Sequence, residues 1–397
     1  MTKVTLVIIA TITILFSAVV IVILLARGYQ FDIGKKELFP TGILVATSDP
    51  DGAAVLIDGK LKTATNNTIS LSPTSYLVKI QKDGFVPWEK KIEIKKEEVF
   101  KTNVFLFPAV PDLRPSTLTG AINPALSPDS TKIVFSVASA SAEKNGVWVM
   151  DMGKIFTPVP IFSGADFRQI YTNNLDLSLS SAKFLWSPDS RQIIASSSSL
   201  AVLLETDRIN DQPTIVTNRL GTILSQWNDQ NNIKIKSDWS KLDPQLKTIF
   251  ATASSQLYFS PDQSKLLYQA TASANLPPIL TSYLAGTNPT TQTRLIQPGN
   301  TYVYDTKEDR NYLIVNCHPP AGGVNCIWFP SSRHLITYTN QQISIMEYDG
   351  TNKALIYAGP FKPGIVYPWP NWSKIVILTS LNNTPDSLEN LYTINLR

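Results

Sequence analysis

The sequence predicts an all-β protein behind an N-terminal transmembrane helix: a small β-sandwich, then a C-terminal β-propeller. Three observations carry this. Residues 4–26 form one apolar run with no charge, proline or glycine. Residues 42–108 hold six short alternating segments separated by turn signals. Beyond residue 116 a Ser-Pro-Asp turn signature recurs along the chain.

The apolar run is long enough to cross a hydrocarbon core of about 30 Å as a helix. A secretory signal has a shorter apolar region and ends in a small-x-small site. Here the run ends in Leu24-Leu25-Ala26-Arg27-Gly28-Tyr29. A retained anchor is therefore the reading, with a cleaved signal as the alternative. Lys3 precedes the span, and Arg27, Lys35 and Lys36 follow it. By the positive-inside count alone the remainder would be cytoplasmic, but large C-terminal domains translocate regardless of charge. Residues 27–41 are expected to be a juxtamembrane linker.

In the next stretch, strands are expected over 43–48, 53–57, 69–71, 76–82, 88–94 and 102–107. Asp49-Pro50-Asp51-Gly52 makes a turn, and Asp58-Gly59 and Asp83-Gly84 are hairpin signals. Short strands at this density suggest a small sandwich. Ser48-Asp49-Pro50-Asp51-Gly52-Ala53, Val55, Asp58-Gly59, Leu71, Tyr76, Val78, Ile80, Lys82, Gly84-Phe85 and Trp88 together resemble the PEGA domain. Asp51 stands where that family has Glu. Thr63-Ala64-Thr65-Asn66 and Thr74 depart from its Gly and Thr-Pro positions. The resemblance implies a cell-surface or extracytoplasmic module without an active site.

Residues 109–115, with Pro111 and Pro115, read as an extended linker. The repeats occupy 116–397. The signature is Leu126-Ser127-Pro128-Asp129, then Trp186-Ser187-Pro188-Asp189, then Phe259-Ser260-Pro261-Asp262. Weaker copies are Trp328-Phe329-Pro330-Ser331 and Trp369-Pro370-Asn371-Trp372. Pro presets φ for a turn, and Asp or Asn beside it bonds its own backbone. A basic or polar residue stands four positions after each Pro: Lys132, Gln192, Lys265, His334 and Lys374. Partner strands within blades are read at Val147-Trp148-Val149-Met150, Ala201 to Leu204, Thr301 to Tyr304, Ile343 to Tyr348 and Leu391 to Ile394. Successive prolines lie 60, 73, 69 and 40 residues apart. A blade needs about 40–45 residues, so five to seven blades are expected, six being favoured. Asp243-Pro244 starts a helix inserted between signatures, with Leu242, Leu246, Ile249, Phe250 and Ala253 on one face. The last blade lacks an outer strand, and residues 116–122 are expected to supply it and close the ring. The repeats resemble the WD-repeat-like (PD40-like) propeller repeats of the bacterial periplasmic Tol system. That resemblance implies protein binding by one face of the disc, no catalysis, and an envelope address.

Composition narrows the function. Hydrophobic residues are 43%, charged residues 17%, and the net charge is +4. With no long basic run interleaved with aromatics, nucleic acid is set aside. Of the two histidines, His334 reads as a surface turn residue and His318 as a loop residue. No nucleophile elbow, phosphate loop, zinc or calcium motif is present, and no catalytic, cofactor or metal residue is assigned. Asp129, Asp189 and Asp262 recur as turn residues, with a cation-binding ring as the alternative. Cys317 and Cys326 leave two readings: a disulfide in an oxidising compartment, or two unpaired thiols near a strand. Tyr367, Trp369 and Trp372 are the aromatics considered for contact with a partner, against packing of the core and rim. The expected function is a membrane-anchored, extracytoplasmic, non-enzymatic interaction protein whose propeller binds a protein or envelope polymer. The alternatives are a propeller hydrolase or lyase and a cell-wall glycan-binding module.

Overall fold

The computed structural model describes residues 3–26, 29–32, 37–138, 141–153, 166–174, 177–197, 200–282, 284–315, 317, 325–381 and 388–397. Helix α1, Lys3–Ala26, contains a span, Val7–Leu24, with mean hydropathy 3.1 and none of it buried within the protein. Two short strands, Gln30–Asp32 and Glu37–Phe39, pair antiparallel in the stretch expected to be a linker.

The chain divides into two compact units. The first is Met1–Phe107 with Leu280–Thr291, the second Pro108–Ile279 with Gln292–Arg397. In the first unit a three-stranded sheet is ordered Val99–Lys101, Gly42–Ala46, Asn67–Leu71. A four-stranded sheet is ordered Lys60–Ala64, Ala54–Ile57, Ser75–Gln81, Trp88–Glu93. Leu44, Ala46, Val55, Ile57, Val78, Ile80, Ile92 and Leu106 are buried between them as one core. Strands Lys60–Ala64 and Val99–Lys101 escaped sequence reading because each is largely solvent-facing, so neither shows an apolar alternation.

The second unit contains five four-stranded antiparallel sheets, the blades of a propeller. Blade 1 is Ile122–Leu126, Lys132–Val137, Gly146–Asp151 and Asp166–Thr172. Blade 2 is Lys183–Trp186, Gln192–Ser196, Ala201–Glu205 and Thr214–Ile215. Blade 3 is Ser254–Phe259, Lys265–Ala270, Thr301–Asp305 and Arg310–Ile314. Blade 4 is Asn325–Trp328, His334–Tyr338, Gln342–Glu347 and Ala354–Ala358. Blade 5 is Val366–Pro368, Lys374–Thr379, Asn390–Asn395 and Leu113–Pro115.

Among the described residues there are thus five blades where six were favoured. The surplus length goes elsewhere. Between the second and third signatures it folds as α2, Leu220–Ser240, and α3, Pro244–Ala253. Between the third and fourth it leaves blade 3 through the ribbon Ala274–Asn275 with Leu295–Ile296. Helix α3 starts where Asp243 predicts, its carboxylate accepting the Gln245 N–H at 2.8 Å. Leu242, Leu246, Phe250 and Ala253 are buried against Leu266, Tyr268, Tyr302 and Tyr304 of blade 3. Helix α2 was not expected. Its middle, Asn228-Asp229-Gln230-Asn231-Asn232, is polar, and only Trp227 is fully buried, with Ile194, Ala201 and Val216.

The ring closes with a strand contributed from before the first blade. Leu113, Arg114 and Pro115 pair with Ile394, Thr393 and Tyr392. This strand lies just ahead of the segment 116–122 expected to close the ring. That segment instead finishes the seam: Ser116 N–H and Thr117 N–H both reach the Leu391 carbonyl, and Ala121 N–H reaches Glu389. The strand therefore falls inside the stretch read as a linker. Pro115, which has no N–H, suits an outer edge strand. One core then runs across the seam: Ile133, Phe135, Met150 and Met152 with Trp369, Val376, Leu378 and Leu391.

Candidate interaction surface

The repeated signature folds the same way in the three strong copies. Ser127 Oγ donates to Asp129 Oδ1 at 2.6 Å and accepts the Lys132 N–H at 2.9 Å. Asp129 Oδ1 also accepts the Thr131 N–H at 3.0 Å. Ser187, Asp189, Arg191 and Gln192 repeat this set, as do Ser260, Asp262, Ser264 and Lys265. The residue two after the Pro is left-handed in all five copies: Ser130, Ser190, Gln263, Ser332 and Trp372, with φ between 58° and 68°. The carboxylates are fastened to their own turns. Burial raises the Asp262 pKa, but hydrogen bonds from Ser260 and Ser264 outweigh it and hold the group down at about 2. Asp129 is depressed by the same balance, and Asp189 mainly by the Ser187 hydroxyl. This is turn chemistry. Among the described residues no group of three or more His, Cys, Asp or Glu could hold a metal ion.

Several side chains four positions after the Pro point inward. Lys265 is buried, with Nζ 3.5 Å from Asp305 Oδ2 and 4.7 Å from the Tyr348 ring centroid of blade 4. Lys374 Nζ lies 5.1 Å from the Trp369 ring centroid, and burial, then the charge of Arg114, lower its pKa. His334 corrects the expectation of a surface residue: it is 6% exposed. Its Nδ1 is 3.0 Å from Ser331 Oγ, and its ring meets Phe329 edge-on at 6.1 Å. The reason is the register. As the first residue of the second strand, His334 folds its ring back on Phe329 and Ser331 of its own turn. His318 lies outside the described residues.

Of the three candidate aromatics, Trp369 is buried in the core across the seam. Tyr367 is half-buried, and its hydroxyl donates to the Pro124 carbonyl of blade 1 at 3.0 Å. Trp372, 38% exposed, is the one that keeps a free face. Cys317 and Cys326 are bonded to each other, with Cα atoms 5.3 Å apart, inside a cluster with Leu267, Val303, Tyr312 and Leu335. One buried network carried no sequence signal. Asp309 accepts from Arg294 Nη1 at 2.8 Å, from the Tyr304 hydroxyl at 2.5 Å and from the Ile279 N–H at 2.7 Å. Its members are scattered along the chain, and only folding gathers them.

Residues 41–109 match the model of the PEGA domain. A search of curated proteins finds no match. Among solved structures, the chain is similar to a protein assigned as TolB from Agrobacterium tumefaciens. The identity is 12%, over 69% of this chain and 78% of that one, with a TM-score of 0.22. The TolB of Acinetobacter baumannii matches at 12% identity, over 81% of this chain and 59% of that one, with a TM-score of 0.22. An oligogalacturonate lyase from Vibrio parahaemolyticus matches at 7% identity, over 82% and 87%, with a TM-score of 0.25.

Proposed function

We propose that the protein is held in a membrane by α1, displays its PEGA domain and propeller outside the cytoplasm, and uses the propeller to bind a protein of the cell envelope without catalysing a reaction. The observation that carries the non-enzymatic reading is the fate of the repeated acids. Asp129, Asp189 and Asp262 are each closed onto Ser hydroxyls and turn amides. A hydrolase or lyase site needs convergent groups free to take or give a proton. The anchor is supported by α1, an apolar helix of which none of the span packs on the protein. The extracytoplasmic side is supported by the PEGA match and by the bonded Cys317 and Cys326, since disulfides persist in oxidising compartments. Trp372 is the aromatic best placed to meet a partner, with an exposed indole able to lose water-facing area on contact.

Two measurements test this. Protease added to intact spheroplasts is expected to digest the chain to a membrane-held stub; protection of residues 42–397 would reverse the topology. The tagged full chain in detergent is expected to retain an envelope protein from solubilised membranes, and Trp372→Ala to retain less. Retention on cell-wall glycan instead would establish the glycan-binding alternative.

A further inference from the structure

The segment Leu280–Thr291 leaves blade 3 in sequence yet belongs to the first compact unit. All of it but residue 283 is described. Within that unit it meets the two strand edges on one side of the PEGA sandwich. Strand Val99–Lys101 is the edge of the three-stranded sheet and, among the described residues, pairs with Gly42–Ala46 alone. The Glu98 carbonyl is taken by the Ile43 N–H, and the Thr102 N–H is given to the Val45 carbonyl. Alternation along the strand therefore turns the Val99 carbonyl outward. Gly286 approaches it there so closely that a Cβ on Gly286 would stand 3.1 Å from the Val99 oxygen, and its φ is +68°. The other edge is Trp88–Glu93, the last strand of the four-stranded sheet. From it Lys90 Nζ reaches Asn288 Oδ1 at 3.4 Å, and the same oxygen accepts the Thr290 N–H at 3.1 Å.

Both roots of the segment are fixed, in the second unit, by one residue. Asp309 Oδ2 accepts the N–H of Ile279, the residue before the segment begins. Asp309 Oδ1 accepts from Arg294 Nη1, just beyond the segment's end, and the Asp309 carbonyl accepts from Arg294 Nη2. Arg294 Nη1 also reaches the Pro277 carbonyl at 3.1 Å, and the Leu276 N–H donates to the Arg294 carbonyl at 2.9 Å. With Asp309 4% exposed, this clasp is shielded from water.

We propose that Leu280–Thr291 is a strap, supplied by the propeller sequence and clasped at its roots by Asp309, that covers the open strand edge of the PEGA sandwich. An uncovered edge presents unpaired N–H and C=O groups to any passing strand. The chain blocks that edge with its own backbone, at a glycine, because only a residue without a side chain can lie against the Val99 carbonyl in a left-handed conformation. A partner strand reaches this edge only by displacing the strap.

The test uses the full chain in detergent and hydrogen exchange read by mass spectrometry. Gly286→Val disturbs the strap at its contact, and Asp309→Asn loosens its roots. In both variants, peptides covering Trp88–Glu93 and Val99–Lys101 are expected to exchange about tenfold faster. Peptides covering Lys132–Val137 and Gly146–Asp151 are expected to keep their wild-type rates. Unchanged exchange of the sandwich edge in Gly286→Val would overturn the proposal. Should Asp309→Asn speed exchange in blade 1 as well, it reports on propeller folding, and the Gly286→Val result alone decides.

Discussion

The indole Nε1 of Trp186 donates to the Ala125 carbonyl at 3.0 Å, joining the innermost strand of blade 2 to that of blade 1. Trp328 makes the equivalent bond to Tyr258 at 2.9 Å, from blade 4 to blade 3. A second stitch accompanies each. The Asp129 N–H donates to Ser190 Oγ at 3.2 Å, and the Asp262 N–H to Ser332 Oγ at 2.9 Å. The repeated signature thus carries two jobs. Its Ser-x-Asp closes a turn, and in the copies beginning at Trp186 and Trp328 the first and fifth side chains fasten that turn to the neighbouring blade.

Removing the Trp186 donor while keeping an aromatic separates hydrogen bonding from packing. Trp186→Phe is expected to lower stability by about 1 kcal/mol, and Trp186→Ala by about 3–5 kcal/mol. Denaturant titration of the two variants checks this; an unchanged stability in Trp186→Phe would show that the bond adds nothing to burial.

The depressed Asp262 predicts an acid dependence. A carboxyl whose folded pKa lies below its unfolded value contributes stability that is fully present above the unfolded pKa, near 3.8, and is lost as pH falls through the folded value of about 2. The wild type should therefore lose stability between these pH values more steeply than Asp262→Asn, which carries no such group. Melting curves at stepped pH read it, and parallel pH profiles would remove Asp262 from the account.

Lys265 and Asp305 form a buried pair, 9% and 4% exposed at their side chains. Taking away one partner leaves an uncompensated charge, so Lys265→Ala is expected to cost about 3–5 kcal/mol. Lys265→Met with Asp305→Asn keeps volume and removes both charges, and should lie closer to wild type. A double variant less stable than Lys265→Ala would contradict this.

Deleting residues 381–397 removes the strand Asn390–Asn395, to which both Lys374–Thr379 and Leu113–Pro115 are bonded. The whole propeller should lose stability rather than fray at one end, because the core across the seam contains Leu391 and side chains of blade 1. Calorimetry of the shortened chain decides it: one cooperative transition within a degree or two of the full chain would place closure elsewhere.

Much was legible before folding. The signature turns, the apolar helix and the face of α3 obey rules that act within a few residues: Pro fixes φ, Asp bonds the next amides, and Asp243 caps a helix. These contacts are short in sequence, so composition and spacing reveal them. The PEGA-like strands were legible where one face is buried, as in Ser75–Gln81, and hidden where neither is, as in Lys60–Ala64.

What the sequence alone determined is therefore the local material: an apolar helix, β-strands cut by Ser-Pro-Asp turns, and one capped amphipathic helix. The tertiary structure decided which strands meet. It set five described blades rather than six, buried His334 against its own turn, drew Leu113–Pro115 to the far end of the chain, and sent Leu280–Thr291 to the sandwich edge. The physical reason is range. A turn is decided by the energies of a few neighbouring dihedrals, whereas pairing across hundreds of residues is decided by which apolar faces and open strand edges remain to be covered once the local elements have formed.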